Sequence, residues 1–372
     1  MKVPFFDLAA QLEGIRDQIE SSFGRVLGNS TFTMGKEVER FERAFASYCG
    51  APYCVAVNSG TSALHLALLA HGIGEGDEVI TQPNSFFATA EAISYTGATP
   101  VFADVEPDTW GIDAAKITPA LTPRTKAILP VHLYGNAADL DAIKRVAKKR
   151  HLVVIEDAAQ AHGTLYHGRK IGSFGNTACC SFYPGKVLGA YGEGGAVVTD
   201  NPRIAEKLRM LRDHGQKRKH EHIFIGYNYR MEQLQAAFLR VKLKRLNQWI
   251  QARRKHAMLY LRLLGDLEQF VRVPREPSSF RSNYYVYAIQ CRAREQLVSY
   301  LASHGIGSQI HYPTPIHLQK AYRHLGYQKG DFPVAEKLAK ETLSLPMYPE
   351  LAESQIRYVA DMIHAFYKNK YV

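Results

Sequence analysis

The chain has 372 residues, 46% of them hydrophobic and 22% charged, with a formal net charge of +11. That length accommodates one large domain and a smaller one, and the composition is that of an ordinary soluble protein. No stretch is long and apolar enough to span a bilayer, and the opening MKVPFFDLAAQ lacks the apolar run of a signal peptide, so no membrane partner is expected.

Taken in chain order, apolar runs alternate with helical patterns. YCVAVN (53–58) reads as a buried strand and TSALHLALLAHG (61–72) as a helix. EVITQP (78–83) is a strand, FFATAEAISYTG (86–97) a helix and TPVFADV (99–105) a strand. KAILPVHLYG (126–135), DLDAIKRVAKKR (139–150) and LVVIED (152–157) follow as strand, helix and strand, then TACCSFY (177–183) and GGAVVTD (194–200) as strands. Short buried strands separated by helices predict an α/β fold with a mostly parallel sheet covered on both faces. A long helical stretch from about Met231 to Leu264 connects to a second α/β unit. That unit has a strand at 283–291, a helix at 294–305 and a final helix from about residue 353. The domain change is placed near residue 245, giving a large domain of 1–245 with an N-terminal arm and a small domain of 246–372.

The basic balance fits two kinds of partner, a nucleic acid or phosphorylated small molecules. The basic residues are spread out. The one dense run, Arg212 to His222, reads as a solvated loop or as a loop that meets substrate phosphates. No nucleic-acid-binding module is present, so no nucleic-acid partner is expected. Five cysteines, at 49, 54, 179, 180 and 291, include no C-x-x-C. They fit reduced thiols in a cytoplasmic protein, with no metal site.

Four features carry chemistry. In SFYPGKVLGAYGEGG, Lys186 sits in a turn after a strand, where it is a surface residue or the amine that bonds a carbonyl cofactor. A phosphate-binding P-loop is excluded, because Cys180 and Val187 stand where Gly and Ser or Thr are required. Asp157 ends the apolar strand LVVIED, either capping the next helix or facing a cationic ring nitrogen. Ser59-Gly60-Thr61-Ser62 opens a helix, as a simple cap or as a phosphate cup. Phe86 and Phe87 lie just past a strand end, as core residues or as a stacking surface for a planar ring. Each feature alone is ambiguous. Along the chain they run cup, aromatic, acid and lysine, each at a strand end, and together they are the parts of a site for pyridoxal 5′-phosphate.

The ordered motifs NSGTSAL, GATPVFADV, TKAILPVHLYG, VIEDAAQAHG, SFYPGK, GEGGAVVT, GYNYRMEQLQAA, IHYPTPIHLQ and LSLPMYPEL resemble the DegT/DnrJ/EryC1/StrS family, the nucleotide-sugar aminotransferases of pyridoxal-phosphate fold type I. The resemblance spans almost the whole chain. It implies the aspartate-aminotransferase-like architecture, with a mostly parallel seven-stranded sheet and a smaller C-terminal α/β domain. It also implies that Lys186 bonds the cofactor and shuttles a proton, that Asp157 pairs with the ring nitrogen and that Gln160 contacts the ring hydroxyl. By the same resemblance Phe86 stacks on the ring, and Gly60, Thr61 and Ser181 hold the phosphate. Asn228 would reach the phosphate of a neighbouring subunit in a homodimer with shared sites. Tyr183, Arg230, His311 and Tyr312 would line the sugar-nucleotide side. The implied reaction takes an amino group from L-glutamate to a nucleotide-linked keto-sugar. C3 of a dTDP-3-oxo-6-deoxyhexose comes first, a UDP-linked 3-oxo-glucuronate derivative second and a 4-oxo sugar third. The products would feed O-antigen, other surface glycans or secondary metabolites. Lys186 argues against relatives that carry His there and dehydrate. The pattern departs from the commonest at Val187, Glu193 and Tyr229, and Tyr229 is expected to reshape the substrate pocket. A binding protein that keeps the cofactor but has lost turnover is the alternative from another class.

Overall fold

The computed structural model of the chain describes residues 1–174 and 177–371. Three helices precede the first strand: α1 (Leu8–Glu13), α2 (Arg16–Asn29) and α3 (Lys36–Cys49). The large unit then runs β1 (Tyr53–Val57), α4 (Gly60–Ala70), β2 (Glu78–Thr81), α5 (Ala88–Tyr95), β3 (Thr99–Phe102), α6 (Ala114–Ile117), β4 (Thr125–Leu129), α7 (Leu140–Arg150) and β5 (Val153–Asp157). A small hairpin, β6 (Leu165–Tyr166) and β7 (Arg169–Lys170), precedes β8 (Thr177–Ser181), β9 (Gly195–Thr199) and α8 (Pro202–Leu211).

Seven of these strands form one sheet in the order β1-β9-β8-β5-β4-β2-β3. Neighbours among β8, β5, β4, β2 and β3 pair parallel, and β9 pairs antiparallel with both β1 and β8. Only β9 therefore runs against the rest, so the carboxyl ends of the other six open on one edge. Side chains on the sheet and its covering helices form separate buried clusters, one containing Val55, Leu66 and Val79 and another containing Phe41, Ala178 and Phe182. Helix α4 is buried along nearly its whole length, from Ser62 to Leu68 and at Ala70. A helix covered on all sides has no polar face to satisfy, which is why this segment reads as almost continuously apolar.

The dense basic run begins with a buried Arg212 paired to Glu42 and ends in a short ribbon rather than an open loop: β10 (Gln216–Arg218) pairs with β11 (Glu221–His222). The expected helix over 231–264 is two helices, α9 (Gln233–Leu243) and α10 (Leu246–Leu264). The break at Lys244–Arg245 is closed by tightened turns, Lys244 N–H to Val241 O and Arg245 N–H to Lys242 O. It lets α9 lie on α2 and α3 while α10 lies on the last helix.

Beyond it come β12 (Val271–Arg272), β13 (Phe280–Arg281), β14 (Tyr287–Cys291), α11 (Arg294–Ser303), α12 (Pro333–Glu341), β15 (Thr342–Leu345) and α13 (Glu353–Tyr371). Strands β12-β14-β15 form a second antiparallel sheet, and β13 joins the β6–β7 hairpin. The strand expected over 283–291 is shorter, because Tyr284 takes a positive φ of 48° and turns the chain before Tyr287. The strand expected over 126–135 likewise ends at Leu129, ahead of Pro130, and a 3₁₀ turn occupies Leu133–Gly135. Val3 belongs to the core of the C-terminal unit, with Tyr260, Leu301 and Ile363, and bridges to Ile306. The first residues thus pack on the far end of the chain. All five cysteines are buried and free.

Phe41 and Phe45 stack at 5.6 Å, and each meets Phe182 edge to face at 5.2 Å. Phe182 starts the segment that carries Lys186, so this trio anchors that segment to α3. Phe41→Ala, at a fully buried position, is expected to cost about 3–5 kcal/mol in denaturant unfolding. A loss under about 1 kcal/mol would contradict the anchoring role.

Candidate active site

A cavity of about 490 Å³ opens along the carboxyl edge of the large sheet, within the range of small-molecule and cofactor sites. Its walls come from successive strand ends: Gly60 and Thr61 after β1, Phe86 and Thr89 after β2, Val131 after β4, Asp157 at the end of β5 with Gln160 beyond it, and Ser181, Tyr183 and Lys186 at and after the end of β8. Open α/β sheets bind ligands at this edge because the strands stop together and the following helices begin there. Tyr285, His311 and Tyr312 come to the same cavity from the C-terminal part of the chain.

Ten of the twelve expected site residues meet here: Gly60, Thr61, Phe86, Asp157, Gln160, Ser181, Tyr183, Lys186, His311 and Tyr312. Asn228 and Arg230 do not line it. Arg230 instead donates to Asp213 Oδ1 at 2.6 Å and to Asn228 Oδ1 at 2.6 Å. Tyr229, between them, does not line this chain's own cavity either. It is half-buried, packing on Tyr227 at 5.1 Å with its hydroxyl 3.4 Å from His65 Nδ1, against the core beside α4. Of the two phenylalanines, Phe86 is half exposed in the cavity wall, with its ring 5.6 Å from Tyr312, whereas Phe87 packs on Tyr322.

Asp157 is buried, accepting hydrogen bonds from Thr89 Oγ1 at 2.8 Å and Ala159 N–H at 3.1 Å. Burial pushes its carboxyl above the ordinary range, against the opposing pull of those two donors and of the Lys186 charge. No ion pair to Asp157 is formed among the described residues. A buried carboxylate at the cavity floor without a paired cation fits a ligand that brings positive charge to it. The helix-capping alternative fails, because turns and the β6 strand follow Asp157 rather than a helix, and the Ala159 contact closes one of those turns.

Helix α4 supplies the anion end. Ser59 Oγ accepts from Ser62 N–H at 3.0 Å and Ser59 O from Ala63 N–H at 3.0 Å, leaving the N–H groups of Gly60 and Thr61 for a ligand. A Cβ at Gly60 would lie 2.6 Å from that of Ser181, so glycine is required for these two walls to close. Phosphate cup, half-exposed aromatic, buried acid and lysine therefore share one cavity, and these residues fit pyridoxal phosphate. Gln160 is held by Tyr134 N–H, which donates to its Oε1 at 2.6 Å, and its Nε2 donates to the Tyr312 hydroxyl at 3.3 Å.

Sequence reading missed several participants. Thr89 lies one helical turn past Ser85 and bonds it at 2.8 Å, linking two cavity residues, but its motif reads simply as a helix start. Lys242 is fully buried on α9, donating to Gly189 O at 2.8 Å with Nζ 3.6 Å above the Tyr191 ring. Burial lowers it to about 7. It braces the loop after Lys186, yet in sequence it is one of several basic residues on a helix. Tyr285 was read only as part of a strand.

Comparison with known proteins places these motifs in context. Residues 14–364 match the DegT/DnrJ/EryC1/StrS aminotransferase family. The chain is 46% identical over 99% of its length, and all of the relative's, to a Geobacillus stearothermophilus protein called pleiotropic regulatory protein. It is 42% identical to the dTDP-3-amino-3,4,6-trideoxy-alpha-D-glucose transaminase of Streptomyces venezuelae, over 97% of this chain and 95% of that one. The crystal structure of S. venezuelae DesV in complex with a ketimine intermediate superposes with a TM-score of 0.96 at 42% identity, covering 98% of each chain.

Several histidines are held neutral by burial: His65, His311 and, at the far end of α4, His71 fall to about 4 and His162 to about 3. Each binds a proton more readily in the unfolded chain. Their contribution to stability is therefore complete above the ordinary value of 6.5 and is lost as pH falls from there through the lowered folded values. The denaturant midpoint is expected to drop between about pH 7 and about pH 5, with a shallower slope in His71→Gln. A midpoint constant over that interval would contradict the burial of these rings.

Proposed function

The chain belongs to the DegT/DnrJ/EryC1/StrS aminotransferase family and is a pyridoxal-phosphate-dependent nucleotide-sugar aminotransferase, and on that premise we propose that it transfers the amino group of L-glutamate to C3 of a dTDP-linked 3-oxo-6-deoxyhexose. The observation that carries the catalytic part of this reading is the meeting of Lys186 and buried Asp157 in one cavity with the amide-lined start of α4. When bound, the cofactor supplies a carbonyl carbon that bonds amines and a ring that accepts the electrons released at the adjacent carbon.

In this reading Lys186 Nζ would hold the cofactor through that carbon and, as a free amine, would move a proton at the donor Cα. Asp157 would hold the proton of the ring nitrogen. Gln160 would hold the ring hydroxyl, and Phe86 the ring face. Gly60, Thr61 and Ser181 hold the phosphate. Tyr183, His311 and Tyr312 border the sugar side. Asn228 and Arg230, joined to each other and turned away from their own cavity, are assigned to the cavity of a second copy in a homodimer. The net charge of +11 favours both a glutamate and a nucleotide diphosphate. The choice of a dTDP-linked 3-oxo sugar is supported by the S. venezuelae relative, whose product name is a dTDP-3-amino sugar. The name of the G. stearothermophilus relative favours a regulatory role as the second reading. The full set of Lys186, Asp157 and Gln160 supports turnover instead.

Absorption spectroscopy separates these readings. The visible band of the bound cofactor is expected to bleach with L-glutamate and return with a dTDP-3-oxo-6-deoxyhexose. Bleaching without recovery on this sugar, but with recovery on UDP-linked or 4-oxo sugars, would move the substrate. Bleaching without recovery on any keto-sugar would favour the regulator. Lys186→Ala should lose the lysine-bonded form of the cofactor and slow turnover by at least about 10³-fold. Asn228→Ala should weaken cofactor retention in the dimer, and full retention by a monomeric form in sedimentation would contradict the shared site.

A further inference from the structure

Lys186 Nζ lies 4.5 Å from the centre of the Tyr285 ring. No hydrogen bond or ion pair among the described residues holds this nitrogen. The buried carboxylate of the cavity, Asp157, is engaged by Thr89 and Ala159, and Glu193, the other carboxylate in the lining, is exposed. A lysine stem has several rotatable bonds and a strongly hydrated head, so an unheld ε-ammonium spends much of its time away from any single position. An aromatic face within about 6 Å attracts an ammonium through the ring quadrupole.

The ring is fixed without help from the lysine. Asn283, fully buried, accepts from Tyr285 N–H at 2.8 Å through Oδ1 and donates through Nδ2 to Gln160 O at 2.9 Å and His162 O at 3.0 Å. One side chain thus ties the backbone of Tyr285 to the loop that follows Asp157. Gly135 makes this possible: its φ is 95°, and a Cβ there would lie 1.9 Å from Asn283 Oδ1. From the other side Arg253, buried on α10, donates to Tyr285 O at 3.3 Å and Met347 O at 2.7 Å. Tyr285 therefore reaches the cavity from the C-terminal part of the chain with its backbone pinned at both N–H and C=O, while Lys186 reaches it from the large sheet.

We propose that Tyr285 is a positioning residue for Lys186, holding the free ε-ammonium over its ring face during the part of turnover in which the lysine is not bonded to the cofactor. The proposal rests on the reading of Lys186 as the cofactor lysine. What matters is the π-face and not the hydroxyl, so Phe should substitute for Tyr and an aliphatic residue of similar bulk should not.

The test uses protein loaded with pyridoxamine phosphate, in which Lys186 is free, and acetic anhydride, which modifies the neutral amine. Acetylation at Lys186 is followed by peptide mass spectrometry in wild type, Tyr285→Phe and Tyr285→Leu, with Tyr285→Met as a second ring-less variant should the leucine variant fold poorly. The ring-less variants are expected to be acetylated at Lys186 at least about threefold faster than wild type, and the Phe variant at the wild-type rate. In steady state, kcat should fall about tenfold in the ring-less variants with KM for glutamate little changed, and Phe should restore it. Wild-type acetylation and kcat in the ring-less variants, with Lys186→Ala inactive, would overturn the proposal and leave the lysine assignment standing. Wild-type turnover in Lys186→Ala would instead overturn that assignment and this proposal with it.

Discussion

A carboxylate buried at the end of a parallel strand is the constraint on which the rest of this site depends. Asp157 has left water, and its two donors, Thr89 and Ala159, only partly offset the cost, since its carboxyl remains above the ordinary range. The fold has placed a buried acid, without a paired cation among the described residues, at the floor of the cavity. The other parts are arranged at distances that follow from the sheet. Strands stand about 4.8 Å apart, so the segments after β1, β8 and β5 bring Gly60 and Thr61, Lys186 and Asp157 to one edge, with β9 lying between β1 and β8.

The two parts of the chain meet at this edge. The large sheet provides the lysine, the acid and the amide-lined helix start, while Tyr285, His311 and Tyr312 arrive from the C-terminal part. Asn283 and Arg253 hold that junction through buried hydrogen bonds to main-chain atoms. Such bonds are insensitive to side-chain identity at the residues they hold, so the wall of the cavity can change chemistry while its position stays fixed.

The strand ends were legible in the sequence because parallel strands buried on both faces leave apolar runs that stop abruptly, as VVIED does at Asp157 and YCVAV does before Ser59-Gly60-Thr61. The order of cup, aromatic, acid and lysine could be read from those endings. Elements fixed by long-range contacts could not. The Lys244–Arg245 break lies inside an unbroken helical pattern, because what decides it is the change of partner from α3 to α13. The turn at Tyr284 sits in a β-favouring NYYVYAI, where a positive φ overrides propensity. Tyr229, an unusual residue in its motif, is half-buried against the core with its hydroxyl at His65, a contact that the motif position does not reveal. Lys242 and Tyr285 owe their places to loops far away in sequence, and neither carries a local signal.

The measurement that bears most directly on this account is borohydride reduction of the protein loaded with pyridoxal phosphate, followed by peptide mass mapping. The account predicts a reduced phosphopyridoxyl group on Lys186, in the peptide containing SFYPGK, and its loss in Lys186→Ala. A stable adduct on a different lysine, or none at all in protein that retains the cofactor, would contradict it.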